Sequence, residues 1–254
     1  MVHMTDPARG LYLDLLIETL TNTIYGDPST NPANAGPFQL ALRSEGRDWP
    51  EIAHTMVGVH RLKSLQELAQ RAVDERIPGD FVEAGVWRGG CCILMRGLLA
   101  ANSITDRKVY AVDSFAGLPP PHPALYPADK GLHLEGFAEL AVPLDKVKDN
   151  FARYGLLDDQ VVFVKGWFQD TLLSLDAGPF ALLRLDADLY ESTYLALEAL
   201  YPKLSPGGFV IVDDFKLLVP CQQAVLDYRG KMGVTATMHE PEWSSIWWQK
   251  DEQG

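Results

Sequence analysis

Phe180-Ala-Leu-Leu-Arg-Leu-Asp186-Ala-Asp188-Leu-Tyr190, and after it Phe209-Val-Ile-Val-Asp213-Asp214-Phe215, decide the fold of this chain. Each is an apolar run that ends in carboxylates. Between them a helical segment starts at about Glu191 and stops before Pro206-Gly207-Gly208. Strand, helix, strand is the parallel βαβ unit, with a right-handed crossover. Both strands of such a unit end on one edge of the sheet. Asp186 and Asp213 therefore meet at the carboxyl edge, where open α/β sheets bind ligands. Carboxylates that converge there repel one another unless a cation joins them. Asp186, Asp213 and Asp214 are the expected ligands, and a hard cation with oxygen donors, magnesium first, is the expected metal.

Upstream of this unit the same alternation repeats. Asp80-Phe-Val-Glu83 reads as a strand, Gly85 to Gly90 as a tight turn and 91–102 as a helix. Lys108 to Asp113 and Gln160 to Lys165 read as two further strands, with a helix over 143–154. Residues 116–140 are long and irregular, and carry Pro119-Pro120-Pro121. An insertion of this length on the ligand edge is usually a functional loop or lid. Downstream, 218–231 reads as a helix, and Val234–His239 with Ser245–Gln249 as a final antiparallel pair. Three tryptophans there, Trp243, Trp247 and Trp248, are read as core and sheet-face residues. The expectation is a Rossmann-like α/β domain, with a mostly parallel seven-stranded sheet and an antiparallel C-terminal hairpin.

Residues 1–78 form a helical lead-in, expected to serve as a lid or oligomerisation segment; 79–254 form the core. Leu13, Leu16, Ile17, Leu20 and Ile24 recur at helical spacing. The 26–37 stretch, GDPSTNPANAGP, reads as a mobile loop. Further helical patches cover about 38–46 and 57–75. Tyr12 and Tyr25 either belong to an oligomer contact or pack on the chain's own core.

The chain has 254 residues, 47% of them hydrophobic, and a net charge of -12. No apolar run reaches the ~18 residues of a membrane span. Met1-Val-His-Met lacks a signal peptide's apolar core. Cys91, Cys92 and Cys221 are too few for a disulfide framework, which suits a reduced, cytoplasmic protein. The negative charge argues against nucleic acid as a partner.

Three motifs carry chemistry. Val82-Glu83-Ala-Gly85-Val-Trp-Arg-Gly89-Gly90 follows a strand and opens a helix, so backbone can approach a ligand closely. It matches neither the GxGxxG nor the P-loop spacing. Glu83 suits a cationic ligand end such as an amino group; the bland reading is an ordinary turn. Asp113 ends the second strand, where an acid accepts hydrogen bonds from ribose hydroxyls. Its alternative is a cap formed with Ser114; beside the glycine turn, the ribose reading is favoured. Asp188-Leu-Tyr-Glu191 has capping-box spacing, so Asp188 is either a helix cap or a base.

Taken together, EAGVWRGG (83–90), DSFAGLP (113–119), Asp186-Ala-Asp188 and LSPGGFVIVDDF (204–215) resemble class I S-adenosylmethionine-dependent O-methyltransferases. AHTMVG (53–58), NFARYGLLDDQV (150–161) and GWFQDTL (166–172) narrow the resemblance to the macrocin O-methyltransferase (TylF-type) family. That family methylates hydroxyls of deoxysugars on glycosylated natural products. The resemblance implies S-adenosylmethionine as cofactor and a glycoside as acceptor; the apolar face of the N-terminal helix makes a homo-oligomer the expected assembly. It implies Glu83 and Gly85 beside the methionine part, with Thr55 and Met56 closing over it. Asp113 would hold the ribose with Ser114 beside it, and Gly166, Trp167 and Phe168 would flank the adenine. Asp186, Asp213 and Asp214 would hold magnesium. Related catechol and caffeoyl-CoA methyltransferases carry a lysine where this chain has Leu189. The base then falls to a carboxylate: Asp188 first, because a carboxylate on the metal is less basic, and Asp186 second.

Two other classes share part of this pattern. A nicotinamide oxidoreductase would use the glycine turn and Asp113 but has no need for the acidic cluster. A cofactor-binding module without chemistry would not keep that cluster. A phenolic acceptor is the alternative within the methyltransferases.

Overall fold

Five apolar runs become parallel strands of one sheet: β1 (Asp80–Ala84), β2 (Val109–Asp113), β3 (Val161–Lys165), β4 (Phe180–Leu185) and β5 (Leu204–Val212). A sixth, β6 (Ile246–Gln249), closes the edge antiparallel to β5. The order is β3-β2-β1-β4-β5-β6. The chain works outward from β1 to β3, then returns to β4 on β1's other side. That reversal opens a crevice above the carboxyl ends of β1 and β4. The structure, a computed structural model, describes residues 7–251, so the Met1-Val-His-Met stretch lies outside the described residues.

Every residue of β4 is buried, as expected of a strand covered on both faces. On one face lie α1 (Pro7–Leu20), α3 (Gly58–Asp74), α4 (Gly90–Ala101) and α5 (Leu144–Arg153). On the other lie α7 (Tyr190–Leu200) and α8 (Val219–Met232). Two short helices, α2 (Leu40–Glu45) and α6 (Phe168–Thr171), border the crevice. Phe81, Phe180 and Phe209 are fully buried, each stabilising by about 1.5–3 kcal/mol relative to exposure. Leu13, Leu16, Ile17 and Leu20 of α1 share the core of α4, so the lead-in packs on the sheet domain. Ile24 is exposed instead, as are Leu11, Leu15 and Tyr25. Among the described residues no helix is long and apolar enough to cross a membrane.

The sheet has six strands where the sequence predicts seven. Residues 234–239 contribute a single bridge, His239 to Trp247. Pro241 has no N–H to extend the ladder. The Glu242 carboxylate then takes the backbone N–H groups of Ser244 and Ser245, at 2.9 and 2.5 Å, and turns the chain. Trp248 is core and Trp247 lies on the sheet face beside Phe209, but Trp243 covers the Arg47 guanidinium at 4.3 Å.

The 26–37 loop is fastened rather than loose. Fully buried Arg43 of α2 pairs with Asp27 at 2.8 Å and Asp48 at 2.9 Å, and donates to the carbonyls of Thr21 and Asp27. Asp27 also accepts from the Ile52 N–H at 2.6 Å. Ser29 bridges to both Gly36 and Pro50.

Candidate active site

A cavity of about 300 Å³ fills the crevice. One part of its wall is the acidic group Asp186, Asp188, Asp213 and Asp214; another is Gly85, Asp113 and Ser114; a third is Trp167 and Phe168. Met56 belongs to the wall as well. Thus β1, β2, β3, β4 and β5 each deliver expected residues from their carboxyl ends to one space.

Backbone geometry explains the delivery. Gly85 sits at φ +88°, and a Cβ there would lie 1.8 Å from the Asp186 carbonyl oxygen. Only glycine lets the ends of β1 and β4 approach this closely. Trp87, Phe115 and Asp188 hold φ of 47°, 53° and 56°, after β1, β2 and β4 respectively. Non-glycine residues in this region store strain of order 1–3 kcal/mol each, and such strain collects at functional sites.

The acidic cluster is tight. One oxygen from each of Asp186, Asp213 and Asp214 fits within a 4.8 Å group. Burial raises the pKa of Asp186 and Asp214, and their carboxylate neighbours raise them further. Burial with Asp186 and Asp213 pushes Asp188 up to about 8. This congestion of hard oxygen donors is what a divalent cation relieves, so the donor set fits magnesium.

Two arginines already neutralise part of the cluster. Arg184, next to the last residue of β4 and 2% exposed, donates to Glu83 at 2.6 Å, Asp186 at 2.9 Å and Asp213 at 2.5 Å. Arg61 of α3 holds the other oxygen of Asp213 and the carbonyls of Val57 and Gly46. Each Asp213 oxygen still has a lone-pair site beyond its arginine. Sequence reasoning singles out neither arginine. Arg184 had a signal: a guanidinium inside a strand buried on both faces requires carboxylate partners. Arg61 had none, being an ordinary charge in an amphipathic helix.

Several expected residues are placed differently. Glu83 is 1% exposed and absent from the cavity wall; it faces Arg184 and accepts from the Cys92 thiol at 2.8 Å. Burial lifts its pKa to about 7 against the pull of Arg184. Thr55 and Gly166 also stay outside the wall. Thr55 accepts from the Val57 N–H at 3.3 Å, and the Gly166 N–H donates to the Asp113 carbonyl at 3.0 Å. Asp113 makes turn contacts and also reaches the cavity wall. Its carboxylate accepts from the backbone of Val86 at 2.6 Å and Phe115 at 2.7 Å, tying the glycine turn to β2 while lining the cavity.

Asp188 is not the cap of α7. The first-turn N–H groups of Tyr190 and Glu191 go to Asp129, at 2.6 and 3.1 Å. Asp129 is fully buried and comes from the 116–140 segment. Among the described residues no protein group hydrogen-bonds the Asp188 carboxyl, and only its backbone N–H contacts Asp214, at 3.4 Å. Leu189 is 1% exposed core, so no amine reaches the site from that position. The wall gains other residues that sequence reasoning does not single out: Trp49, and Leu134 and Leu140 of the long loop.

Comparison with known proteins identifies the family. Residues 9–250 match the model of the family described as Macrocin-O-methyltransferase (TylF). A Streptomyces olivaceus protein is 48% identical over 248 residues, covering 97% of this chain and 95% of that one. It is the 8-demethyl-8-(2,3-dimethoxy-alpha-L-rhamnosyl)-tetracenomycin-C 4'-O-methyltransferase. The mycinamicin III 3''-O-methyltransferase of Micromonospora griseorubida is 42% identical over 252 residues, covering 96% and 98%. The solved O-methyltransferase NovP superposes with a TM-score of 0.92 at 43% identity, covering 96% of this chain and 99% of NovP. The chain therefore belongs to the macrocin O-methyltransferase (TylF) family and is an O-methyltransferase.

Proposed function

We propose that this enzyme moves a methyl group from S-adenosylmethionine to a hydroxyl of a deoxysugar on a glycosylated natural product, with magnesium as its metal. The observation that carries the reading is the position of Asp188. Its carboxyl lies in the cavity wall beside the Asp186, Asp213 and Asp214 group, with no protein hydrogen bond of its own among the described residues. The names of the relatives support the acceptor class: one acts on a rhamnosyl tetracenomycin C and another on mycinamicin III.

When bound, S-adenosylmethionine supplies an electrophilic sulfonium methyl, and magnesium held by Asp186, Asp213 and Asp214 lowers the pKa of a neighbouring hydroxyl. The chain does the rest. Asp188 would take the proton from the acceptor hydroxyl, whose oxygen would gain the methyl as the methyl–sulfur bond breaks and S-adenosylhomocysteine leaves. Asp186 is second choice, because Arg184 and a metal would both favour its ionised form. Asp113 accepts hydrogen bonds from the ribose with lone pairs its backbone partners leave free. Trp167 and Phe168 flank the adenine, and Met56 and Gly85 border the methionine. Glu83 and Thr55 act from behind the wall, Glu83 through Arg184. Trp49, Leu134 and Leu140 exclude water around the acceptor, which favours positioning as a source of rate.

An acceptor screen with labelled S-adenosylmethionine tests the reading. Its arms are the rhamnosyl tetracenomycin C substrate of the Streptomyces olivaceus relative, mycinamicin III and a catechol, each with and without EDTA. Methylation of a glycoside that EDTA stops is expected. Transfer to catechol alone would overturn the sugar assignment, and EDTA-resistant transfer would overturn the metal.

A further inference from the structure

The capping box encoded at Asp188-Leu-Tyr-Glu191 is not formed, and both of its halves are occupied by the 116–140 segment. If Asp188 capped α7, the helix would begin at Leu189. The cap side chain would then accept from the second and third N–H groups, those of Tyr190 and Glu191. These are the two donors that Asp129 holds, at 2.6 and 3.1 Å. The second half of a box is a glutamate reaching back to the cap's own N–H. Glu191 stands at that position, yet its carboxylate is engaged by His122 Nδ1 at 3.0 Å. Tyr126 packs on Tyr190 with ring centroids 6.0 Å apart. One stretch, 122–129, thus takes both parts of the local motif.

The alternatives for Asp129 are weaker. It is fully buried, its two oxygens point at one helix end, and it lines no part of the cavity. A carboxylate there is favoured by the α7 dipole, as Asp188 would be in its place. The same long segment contributes Leu118, Pro119, Leu134 and Leu140 to the cavity wall. Cap and wall therefore travel on one piece of chain.

We propose that Asp129 is a positioning residue: it displaces Asp188 from the helix cap and so releases the Asp188 carboxyl into the cavity. Without Asp129, Asp188 turns back onto the Tyr190 and Glu191 N–H groups and leaves the reacting site. The 116–140 segment then couples closure of the cavity to the readiness of its base. This rests on Asp188 being the base, but the exchange of caps can be measured without catalysis.

The test is a thermal-unfolding cycle on the intact chain with Asp129→Ala, Asp188→Ala and the double variant. In the parent, Asp188→Ala removes a crowded carboxylate that caps nothing, so Tm holds or rises. In the Asp129→Ala background the same change removes the substitute cap and lowers Tm by roughly 2–4 °C. Equal shifts in the two backgrounds overturn the exchange. Should Asp129→Ala fail to fold, Asp129→Ser, a shorter cap, and His122→Ala, which frees Glu191, run the same cycle. Turnover on the rhamnosyl tetracenomycin C glycoside adds a second readout. Asp129→Ala should lower kcat roughly fivefold with little change in KM for S-adenosylmethionine, and Asp129→Asn, which keeps one of the two acceptor oxygens, should restore part of it. Loss of KM instead of kcat, or no rescue by Asn, counts against a positioning role. Full activity of Asp188→Asn would sink the base assignment alone, leaving the thermal cycle to decide the exchange.

Discussion

Arg184 donates to Glu83 at 2.6 Å across two neighbouring strands, and both side chains are 2% exposed. The pair joins β4 to β1 beneath the cavity and leaves Arg184 free to reach Asp186 and Asp213 from below. A charge in this position is tolerated only because it is paired; an uncompensated buried charge is costly. The pair is therefore the foundation on which the acidic cluster stands.

Replacing Arg184 with Met should strand Glu83 and leave Asp213 with Arg61 alone. The expected loss is about 3–5 kcal/mol of unfolding free energy. Urea unfolding of Arg184→Met measures it. Adding Glu83→Gln should recover part of the loss, since one stranded carboxylate is gone. A loss under about 1 kcal/mol would mean the network relaxes around the missing guanidinium.

Substituting Asp213 and Asp214 together by Ala should abolish methyl transfer. Neither belongs to the Gly85, Asp113 and Trp167 part of the wall, so affinity for S-adenosylhomocysteine should stay within a few fold. Calorimetry and a turnover assay separate the two effects. Surviving turnover would remove these residues from the chemistry.

Gly85→Ala should be severe. The new methyl would press on the Asp186 carbonyl at 1.8 Å, and its φ of +88° is unfavourable for an L residue. We expect a loss of more than about 3 kcal/mol, from strain plus parting of β1 and β4. Thermal unfolding reads it. Gly136→Ala is the control: a Cβ there would meet nothing within 4 Å, so that change should be nearly neutral.

His54 sets a pH dependence. Burial, aided by Arg153, Arg88 and Lys146, lowers its pKa from 6.5 to about 4. Folded protein therefore binds fewer protons than unfolded protein between these values. The stability this neutral imidazole contributes is complete above about pH 6.5 and is lost as pH falls toward 4. Tm measured from pH 7.5 to 4.5 should fall, and His54→Gln should flatten that slope. A Gln side chain can still meet the Tyr154 hydroxyl, which His54 Nδ1 approaches at 2.9 Å. An unchanged slope would assign the acid sensitivity elsewhere.

What is legible in the sequence, and what is not, follows from range. Asp186, Asp213 and Asp113 are legible because an apolar run that ends in a carboxylate marks its own strand end, and parallel pairing then brings those ends together. The glycine turn is legible for the same reason. Asp129 is not: it lies in an irregular segment, and its helix partner is 61 residues away. Local spacing offers the cap to Asp188, and a long-range contact overrides it. His122 is unremarkable beside three prolines but meets Glu191. The missing seventh strand has a plainer cause, since Val234–His239 has suitable residues but Pro241 and Glu242 turn the chain after one bridge.

The Arg43 knot bears on how an enzyme of this kind diversifies. Asp27, Asp48 and Arg43 clamp both ends of the loop that carries Gly46 and Trp49 to the cavity. A clamped loop works as a mould. The cavity's shape there is set by side chains at the wall, so exchanging a single residue such as Trp49 would reshape it while the backbone beneath stays put.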